Sequence, residues 1–568
     1  MSKNEILYTS LETPFEKDVD NIPFSEYPRP DLKRCSYISL NGYWSLTVLY
    51  KKKQLFCGDI LVPFVPESKL SGVCNNFPLG SQLIYKRNFT LPQDFIKKRV
   101  ILNFGAVDRY AAVKINGVTV CENDNGYLPF SADITDALSA GENLIEVECF
   151  DDLDTDYPYG KQRKKRGGMW YTPISGIWQS VWLESVCDNF IKELSVTSTT
   201  RSVTVRVTGG ERHKKLSIDI EGEKREYDFY SEEITVFIPN GRLWSPDDPY
   251  IYSFTVTSGE DVVESYFALR EIKTEGSRIL LNNKPIFLHG VLDQGYFSDG
   301  IYLPATPEGY KNDILTMKKL GFNMLRKHIK IEPQIFYYYC DIYGMLVCQD
   351  MVNSGKYNFL IDTALPTVGI KKGITHRASK KRRRIFEKTA MSTQRLLYNH
   401  PSVIYYTIFN EGWGQYDADE MYTKLKAEDP TRIYDTTSGW FEERLSDVDS
   451  LHVYFKPFKI SNAYSRPVIL SEFGGYSYKI NDHSLNLKKT YGYKLFSNKA
   501  DFESAIEVLY RNEIIPAIKQ GLHGAVLTQL SDVEDETNGL LTYDRQILKI
   551  DEEKMAAISN EIYDEFFR

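Results

Sequence analysis

Long apolar runs and paired cysteines are both missing from this chain of 568 residues. No stretch approaches the ~20 uninterrupted apolar residues that a membrane span requires, so no membrane association is expected. The eight cysteines are scattered, with neither a CxxC pair nor a Cys/His spacing typical of metal ligands. We interpret them as reduced thiols of a cytoplasmic protein, although their even number also allows disulfides. Residues 1–20 contain no apolar core and no small-residue cleavage site, which argues against a signal peptide.

Several motifs with well-defined mechanisms are absent as well. The sequence contains no HExxH zinc motif, no GxxxxGK[ST] phosphate loop, no GxSxG nucleophile turn and no GxGxxG after a strand. We therefore expect no organic cofactor. The acidic stretch SDVEDET, residues 531–537, could suggest a metal site. Because it lacks ligand spacing, we interpret it as a solvated or substrate-facing loop and expect no metal.

The charged residues predict few electrostatic partners. The formal net charge is −8, from 69 Lys and Arg against 77 Asp and Glu. Bulk attraction to nucleic acid or to an anionic membrane is therefore not expected. One segment is strongly basic: KKGITHRASKKRRR, residues 371–384. We interpret it as solvated surface, with a local contact to an anion or an acidic sugar as the alternative.

Two β-rich blocks occupy the first half of the chain. Residues 1–188 read as strands separated by Gly, Asn, Asp and Pro, and the pair Asn116-Gly117 predicts a type I′ hairpin. Because no helical periodicity interrupts them, we predict an amino-terminal, jelly-roll-like β-sandwich. Residues 189–273 contain short alternating strands at regular spacing, which is typical of an immunoglobulin-like β-sandwich.

From residue 274 to residue 568, short apolar strands alternate with helices, which predicts parallel βα units. Eight strands can be identified, and eight is the number that closes a (β/α)8 barrel. In chain order they are IFLHGV, FNMLRKH, MLVCQDM, VIYYTIFNE, IYDTTS, SLHVYF, PVILSEF and HGAVLTQL. We therefore predict a carboxy-terminal (β/α)8 TIM barrel.

Helical periodicity supports the segments between these strands. One predicted helix has Thr306 as its cap and Pro307 at its first position, and it ends at Gly321. A second predicted helix has an apolar face, which we interpret as core packing: Phe502, Ile506, Leu509, Ile514 and Ala517.

Two strand ends carry glutamates. The fourth strand ends in Asn410-Glu411 and the seventh in Ser471-Glu472. The active site of such barrels lies at the carboxyl ends of the strands, and strands four and seven lie nearly opposite each other. Cleavage of a glycosidic bond takes one carboxylic acid and one carboxylate. The charge of one raises the pKa of the other, so both forms coexist near neutral pH. The alternative is a pair of buried ion-pair partners in an inert barrel.

Other strand ends supply polar and aromatic groups suited to holding a sugar, since a pyranose needs several hydrogen-bond partners and one aromatic platform. The candidates for substrate binding, besides Asn410 and Ser438, are His289, Arg326, His328, Asp350, Trp440, His452, Tyr454, Gln529 and Asp532. Taken singly, a histidine on a strand is more often a core residue than a ligand.

These residues and their surroundings resemble glycoside hydrolase family 2, the group of β-galactosidases, β-glucuronidases and β-mannosidases. The resemblance covers nearly the whole chain and rests on the following segments: VPFVPES, SGIWQSVWLE, LWSPDDPYIYSFTV, FLHGVLDQG, GFNMLRKH, YYCDIYGMLVCQD, NHPSVIYYTIFNEGWGQ and RPVILSEFGG. It implies a retaining mechanism, with carboxyl groups ~5–5.5 Å apart rather than the ~6.5–9.5 Å of inverting enzymes.

The resemblance also assigns roles to single residues. It implies that Glu411 is the acid/base, that Glu472 is the nucleophile and that Asn410 holds the sugar 2-hydroxyl. Tyr454 matches a tyrosine that the family places beside the nucleophile, and His452 lies two residues before it.

One departure from the family bears on the substrate. Glucuronidases of the family bind the sugar carboxylate through an Asn-x-Lys motif, and the matching run here is Glu536-Thr537-Asn538, without the lysine. We therefore expect an exo-acting, β-galactosidase-like enzyme whose partner is an oligosaccharide or glycoside. A β-glucuronidase, a β-galactofuranosidase or an α-L-arabinofuranosidase is the alternative, and a non-catalytic carbohydrate-binding protein is the alternative of another class. The sequence leaves open whether the chain forms a homo-oligomer.

Overall fold

The computed structural model describes residues 10–367, 378–460 and 464–568. They form two antiparallel β-sandwiches followed by a parallel barrel, which confirms the predicted fold class. The basic segment at 371–384 lies partly outside the described residues. In the part that is described, Arg382 is buried and donates to the backbone oxygens of Ser354 and Gly414.

The first sandwich consists of twelve strands: β1 Tyr37–Ser39, β2 Gly42–Tyr50, β3 Lys53–Val62, β4 Gln82–Thr90, β5 Arg99–Phe104, β6 Val107–Asp108, β7 Tyr110–Ile115, β8 Val118–Asp124, β9 Phe130–Asp133, β10 Glu142–Phe150, β11 Gly176–Ile177 and β12 Val181–Val186. Its main sheets have the orders β1-β12-β5-β9 and β3-β2-β4-β10-β7-β8. Alternate residues of β2, starting with Trp44, face the core between the sheets. The hairpin between β7 and β8 has positive φ at Asn116 and Gly117, as a type I′ turn requires.

The second sandwich is smaller: β13 Ile191–Ser198, β14 Ser202–Gly209, β15 Lys214–Ile220, β16 Glu223–Phe229, β17 Glu233–Phe237, β18 Tyr252–Ser258 and β19 Asp261–Phe267. Its sheets have the orders β13-β14-β17 and β16-β15-β18-β19, and the apolar residues between them form a core of their own. A short sheet then leads into the barrel: β20 Ile272–Glu275, β21 Arg278–Leu281 and β22 Lys284–Pro285.

The barrel contains all eight predicted strands: β23 Leu288–Asp293, β24 Met324–Lys327, β25 Leu346–Asp350, β26 Val403–Asn410, β27 Ile433–Ser438, β28 Asp449–Val453, β29 Val468–Gly474 and, after the short pair β30 Tyr476–Tyr478 and β31 Lys494–Phe496, β32 Leu522–Thr528. Hydrogen bonds connect them in the order β27-β26-β25-β24-β23-β32-β29-β28, and each ladder is parallel. Between β27 and β28, Ser450 donates to Asp435 at 2.9 Å, so side chains continue the ring there.

Helices cover the outside of the barrel: α1 Glu308–Lys319, α2 Gln334–Tyr343, α3 Leu365–Thr367, α4 Lys380–Leu397, α5 Ala418–Glu428, α6 Lys499–Leu509, α7 Ile515–Ile518 and α8 Glu552–Phe567. The predicted helix at 306–321 is α1, but Thr306 does not cap it, because no side-chain hydrogen bond is made there and the Thr306 hydroxyl is buried without a partner. The predicted apolar face at 502–517 is divided between α6 and α7 by a π-helical turn, Tyr510–Ile514.

The described helices include none that is both long and apolar enough to cross a membrane. The eight cysteines are all free thiols.

Candidate active site

Glu411 follows the last residue of β26 in a sharply turned backbone. Its φ is +52°, a left-handed conformation that non-glycine residues seldom adopt, and its backbone N–H donates to Ser438 at 2.8 Å. Gly412 continues the turn with φ +66°, and a Cβ there would lie 2.3 Å from the ring of Phe441. The chain therefore leaves the buried strand abruptly, and the Glu411 side chain is aimed at the barrel mouth.

Glu472 belongs to β29 and comes close to Glu411. One carboxylate oxygen of each glutamate and one ring nitrogen of His452 all lie within 4.8 Å of one another. This is the one group of its kind among the described residues with ligand atoms near enough to share a cation. Two carboxylates and an imidazole would suit a divalent ion. Arg326 already supplies positive charge at the site, so a metal is not needed to balance the carboxylates.

Arg326, on β24, is fully buried and connects four strands. Its Nη1 donates to Glu472 Oε1 at 3.1 Å, its Nη2 to Asn410 Oδ1 at 2.7 Å and its Nε to Asp350 Oδ1 at 3.0 Å. Because the Asn410 carbonyl accepts from Arg326, its NH2 group remains available as a donor.

His452 stands between the two glutamates. Its Nδ1 lies 3.2 Å from Glu411 Oε1, and its Nε2 lies 3.3 Å from Arg326 Nη1 and 3.8 Å from Glu472 Oε1. The imidazole therefore contacts Arg326 through one ring nitrogen and Glu411 through the other. Trp440 contacts the same imidazole edge-on, with 6.0 Å between the ring centroids.

The surroundings of Glu472 keep it ionised. Burial by itself would raise the pKa of its carboxyl group, but the electrostatic effects of the neighbouring His452 and Arg326 outweigh burial and lower that pKa to about 2. The Tyr454 hydroxyl donates to Glu472 Oε2 at 2.5 Å and lies 2.9 Å from Thr528 Oγ1. Glu472 is therefore a fixed anion at neutral pH.

The remaining predicted residues divide into two groups. His328 is part of the site, since its Nδ1 lies 2.7 Å from Asp350 Oδ2. Gln529 lies at its edge, where it accepts from Gln294 at 2.9 Å and donates to Asn538 at 2.8 Å.

His289 and Asp532 are not in the site, contrary to the prediction. His289 is the second residue of β23 rather than its last, and it is buried with its ring nitrogens at Gly321 and at Tyr510. Asp532 accepts from Lys549 at 2.6 Å and from the Gly539 N–H at 2.9 Å. The recorded hydrogen bonds of both side chains are thus made to groups other than the two glutamates and their partners.

A loop of the amino-terminal sandwich, residues 159–172, reaches the barrel mouth and was not foreseen residue by residue. Trp170 packs edge-on against Trp413, which lies two residues beyond Glu411, at 4.9 Å between ring centroids. Two glutamates of the segment after β32 accept hydrogen bonds from this loop. The Tyr171 hydroxyl donates to Glu536. Arg166 and the Thr172 N–H both donate to Glu534, each at 2.8 Å. We name this segment the sandwich loop. Its aromatic residues in DYPYGKQRKKRGGMWYTP were the available sequence signal.

A parallel barrel with two glutamates facing each other at the carboxyl ends of its strands places this protein in the class of barrels built like those of glycoside hydrolases. Comparison with known families then identifies the family. Three models of glycosyl hydrolases family 2 match this chain. The sugar binding domain model matches residues 31–186, a second family 2 model matches 184–270, and the TIM barrel domain model matches 272–479. The chain belongs to glycosyl hydrolases family 2.

Individual relatives differ in the sugar that their names specify. The chain is 24% identical over 455 residues to a β-galactosidase of Priestia megaterium, a match that covers 72% of this chain and 42% of that protein. It thus spans about two fifths of that relative's length. It is 23% identical over 469 residues to a β-glucuronidase of Chlorocebus aethiops, covering 69% of this chain and 68% of that protein.

Solved structures share the fold over nearly the whole chain. A β-glucuronidase of an uncultured Clostridium superposes with a TM-score of 0.75 at 19% identity, covering 93% of this chain and 98% of that one. A β-galacturonidase of Eisenbergiella tayi bound to galacturonate superposes with a TM-score of 0.67 at 18% identity, covering 94% and 97%.

Proposed function

We propose that the protein is a retaining exo-β-glycosidase of the β-galactosidase type, with Glu472 as nucleophile and Glu411 as acid/base. The observation that carries this proposal is the approach of the two carboxylates to within 4.8 Å, oxygen to oxygen. This spacing suits a retaining enzyme, because an inverting one needs room for a water between carboxyl groups that lie ~6.5–9.5 Å apart.

The proposed reaction consists of two successive displacements at the anomeric carbon. In the first, a Glu472 oxygen attacks the anomeric carbon while the glycosidic C–O bond breaks, and the leaving oxygen takes the proton of Glu411. In the second, the Glu411 carboxylate removes a proton from water, whose oxygen attacks the same carbon and releases Glu472. The low pKa of Glu472 supports its role, because the nucleophile must be ionised before substrate binds.

The other residues of the site bind and orient in this proposal. The free NH2 group of Asn410 would donate to the sugar 2-hydroxyl beside the anomeric carbon. Tyr454 holds Glu472 in line for the attack through its hydroxyl group. The sandwich loop narrows the mouth from one side, and a closed side favours removal of terminal sugars, that is, exo action.

A uronidase is the second candidate, and it is favoured by the likeness to the solved β-glucuronidase and β-galacturonidase named above. The two candidates differ in one group of the substrate, the hydroxymethyl or carboxylate at C6.

A panel of nitrophenyl glycosides tests the proposal: the β-galactoside, β-glucuronide, β-glucoside, β-mannoside, β-galactofuranoside and α-L-arabinofuranoside, each with the natural protein and with Glu472→Gln. We expect turnover of the β-galactoside and a loss of at least ~10³-fold in the variant, because the amide cannot attack carbon. No turnover of any substrate, or equal turnover by the variant, would refute the proposed activity.

The stereochemistry needs its own measurement. Proton NMR of the first product formed should show the β-anomer, and a 2-fluoro-glycoside with a good leaving group should label the peptide that contains Glu472. An α-anomer as the first product would establish inversion and exclude Glu472 as nucleophile.

A further inference from the structure

A third carboxylate, that of Glu536, lies beside the sandwich loop and near Glu472. Glu536 lies in the loop that follows β32, and its side chain is almost buried. The ring of Tyr493 connects the three groups in space: it stacks on Tyr454, the hydrogen-bond partner of Glu472, at 4.1 Å between centroids. Tyr491, two residues before Tyr493, forms a β-bridge with Glu536, which brings Glu536 to the same segment. Burial, together with nearby carboxylates that include Glu472 and Glu536, raises the pKa of the Tyr493 hydroxyl.

The Glu536 carboxylate is held in place but not saturated. The Tyr171 hydroxyl, from the sandwich loop, donates to its Oε2, and the amide of Gln529 also interacts with it. A carboxylate offers about four lone-pair positions, so these two donors leave room for further ones. Hydroxyl groups of a bound sugar are donors of the required kind.

The charged side chains around Glu536 bear on whether a sugar with a carboxylate group can bind there. Arg326 is committed to Asp350, Glu472 and Asn410. Lys161, on the sandwich loop, is the cation whose charge acts on Glu536, and in the described parts of the chain no hydrogen bond or ion pair engages its ammonium group. Burial and the charge of Glu472 raise the pKa of the Glu536 carboxyl group, whereas Lys161 lowers it.

From this arrangement we propose that Glu536 is a specificity-determining residue that selects β-glycosides of neutral hexoses and rejects those of hexuronic acids. It accepts hydrogen bonds from hydroxyls of a neutral sugar, while a C6 carboxylate would be buried beside a like charge. The inference rests on the proposed glycosidase function and narrows its substrate class. Selection of neutral sugars would distinguish this chain from the uronidases named above, which have the same fold.

The test uses matched substrates that differ only at C6, nitrophenyl β-D-galactoside and nitrophenyl β-D-galacturonide. The measured quantity is the ratio of kcat/KM for the neutral substrate to that for the acidic one. We expect the natural protein to favour the galactoside by at least ~100-fold and Glu536→Gln to reduce that ratio by at least ~10-fold, because removal of the negative charge helps the acidic substrate alone.

Two further variants make the result interpretable. Glu536→Asp keeps the charge and should keep most of the preference for the galactoside. Asp535→Asn removes the same charge one residue earlier, where the side chain accepts from Asn486 at 2.7 Å, and should leave the ratio unchanged. An unchanged ratio in Glu536→Gln would refute the proposal. So would a natural protein that prefers the galacturonide and loses this preference in Lys161→Met, since Lys161 would then be the selecting residue.

Binding measurements test the role of Glu536 independently of the proposed glycosidase activity. Calorimetry of methyl β-D-galactoside and methyl β-D-galacturonide with Glu472→Gln measures selection without turnover. Absence of turnover in the natural protein, together with a preference for the galactoside in binding, would refute the enzyme and keep the role of Glu536. Tighter binding of the galacturonide would refute the role of Glu536 whatever the turnover.

Discussion

At the scale of single residues, the cluster around Glu472 shows how a buried anion is kept ionised. Arg326 on β24, His452 on β28 and Tyr454 directly after β28 all approach the same carboxylate. Their combined effect exceeds the cost of burial, and the pKa of Glu472 falls to about 2. A buried charge is tolerated when it is paired and hydrogen-bonded, and each of these partners meets part of that requirement.

His289 gives a prediction for stability at acid pH. Burial lowers the pKa of its imidazole from 6.5 to about 4 in the folded protein. Between pH 6.5 and pH 4 the unfolded chain binds a proton that the folded protein does not, so the free energy of unfolding falls as the pH falls through that range. The loss from this residue amounts to ~2 kcal/mol between pH 7 and pH 5. His289→Gln should therefore lose ~2 kcal/mol less than the natural protein between these pH values.

Urea unfolding at pH 7 and pH 5 measures this difference. His213→Gln, the same replacement at an exposed histidine of the second sandwich, serves as control for the substitution itself. Equal pH dependence in His289→Gln and the natural protein would contradict the prediction.

At the scale of elements, the turn after β26 determines where Glu411 points. Gly412→Ala places a methyl group at positive φ and 2.3 Å from the Phe441 ring. We expect kcat to fall at least ~10-fold, because a displacement of the neighbouring Glu411 by a fraction of an ångström would disturb the proton transfer that we propose for it. We also expect stability to fall by ~1–2 kcal/mol. Steady-state kinetics and urea unfolding measure the two effects.

The hairpin between β7 and β8 provides a matched control. Gly117 also has positive φ, +83°, but a Cβ there meets nothing within 4 Å. Gly117→Ala should cost similar backbone strain and leave kcat unchanged. If both variants kept full kcat, the turn at Gly412 would not be what orients Glu411.

The positions of the strands and helices were largely predictable, because each depends on the residues of its own segment. Each barrel strand is a short apolar run bounded by turn residues, so its position could be recognised without knowledge of its neighbours. The helix at 499–518 was predicted as one stripe, but Leu509 and Ile514 are five residues apart. A π-helical turn restores both to the same buried face. Periodicity alone does not reveal where a helix widens to five residues per hydrogen-bonded turn.

The positions of the candidate residues at strand ends were predictable where the strand boundary was clear. Glu411 and Glu472 follow unbroken apolar strands, whereas His289 was assigned to the end of β23 and lies near its start. Contacts between distant segments could not be foreseen. The approach of Tyr171 to Glu536 joins residues 365 positions apart, and no local pattern in the sequence encodes it.

At the scale of the whole molecule, the sandwich and the barrel share one apolar core. Tyr127, Tyr171 and Trp178 of the sandwich belong to the same buried cluster as Tyr296 and Tyr302 of the barrel. Trp178 and Tyr302 meet edge-on at 5.0 Å between centroids. The two domains therefore act as one support for the site, and the sandwich loop is fixed relative to the glutamates.

The contact between Trp170 and Trp413 tests this support. Trp170→Ala should lower kcat/KM by ~10-fold, since it removes the ring that packs beside the segment following Glu411. Trp170→Phe, which keeps an aromatic edge, should retain most of the activity. Kinetics on an aryl glycoside measures both variants, and full activity in Trp170→Ala would show that the sandwich loop does not support the site.

The ion pair between Arg166 and Glu534 has a consequence for biosynthesis. Its two residues lie 368 positions apart, one before the barrel and the other after the eighth barrel strand. A ribosome that makes this chain at ~5–20 residues per second needs tens of seconds to advance from one to the other. During that interval Glu534 has not yet been synthesised, so Arg166 of the sandwich loop cannot form this ion pair. Catalytic competence should therefore appear only after the eighth strand has emerged, and a nascent chain stalled before it should be inactive even when Glu411 and Glu472 have already been translated.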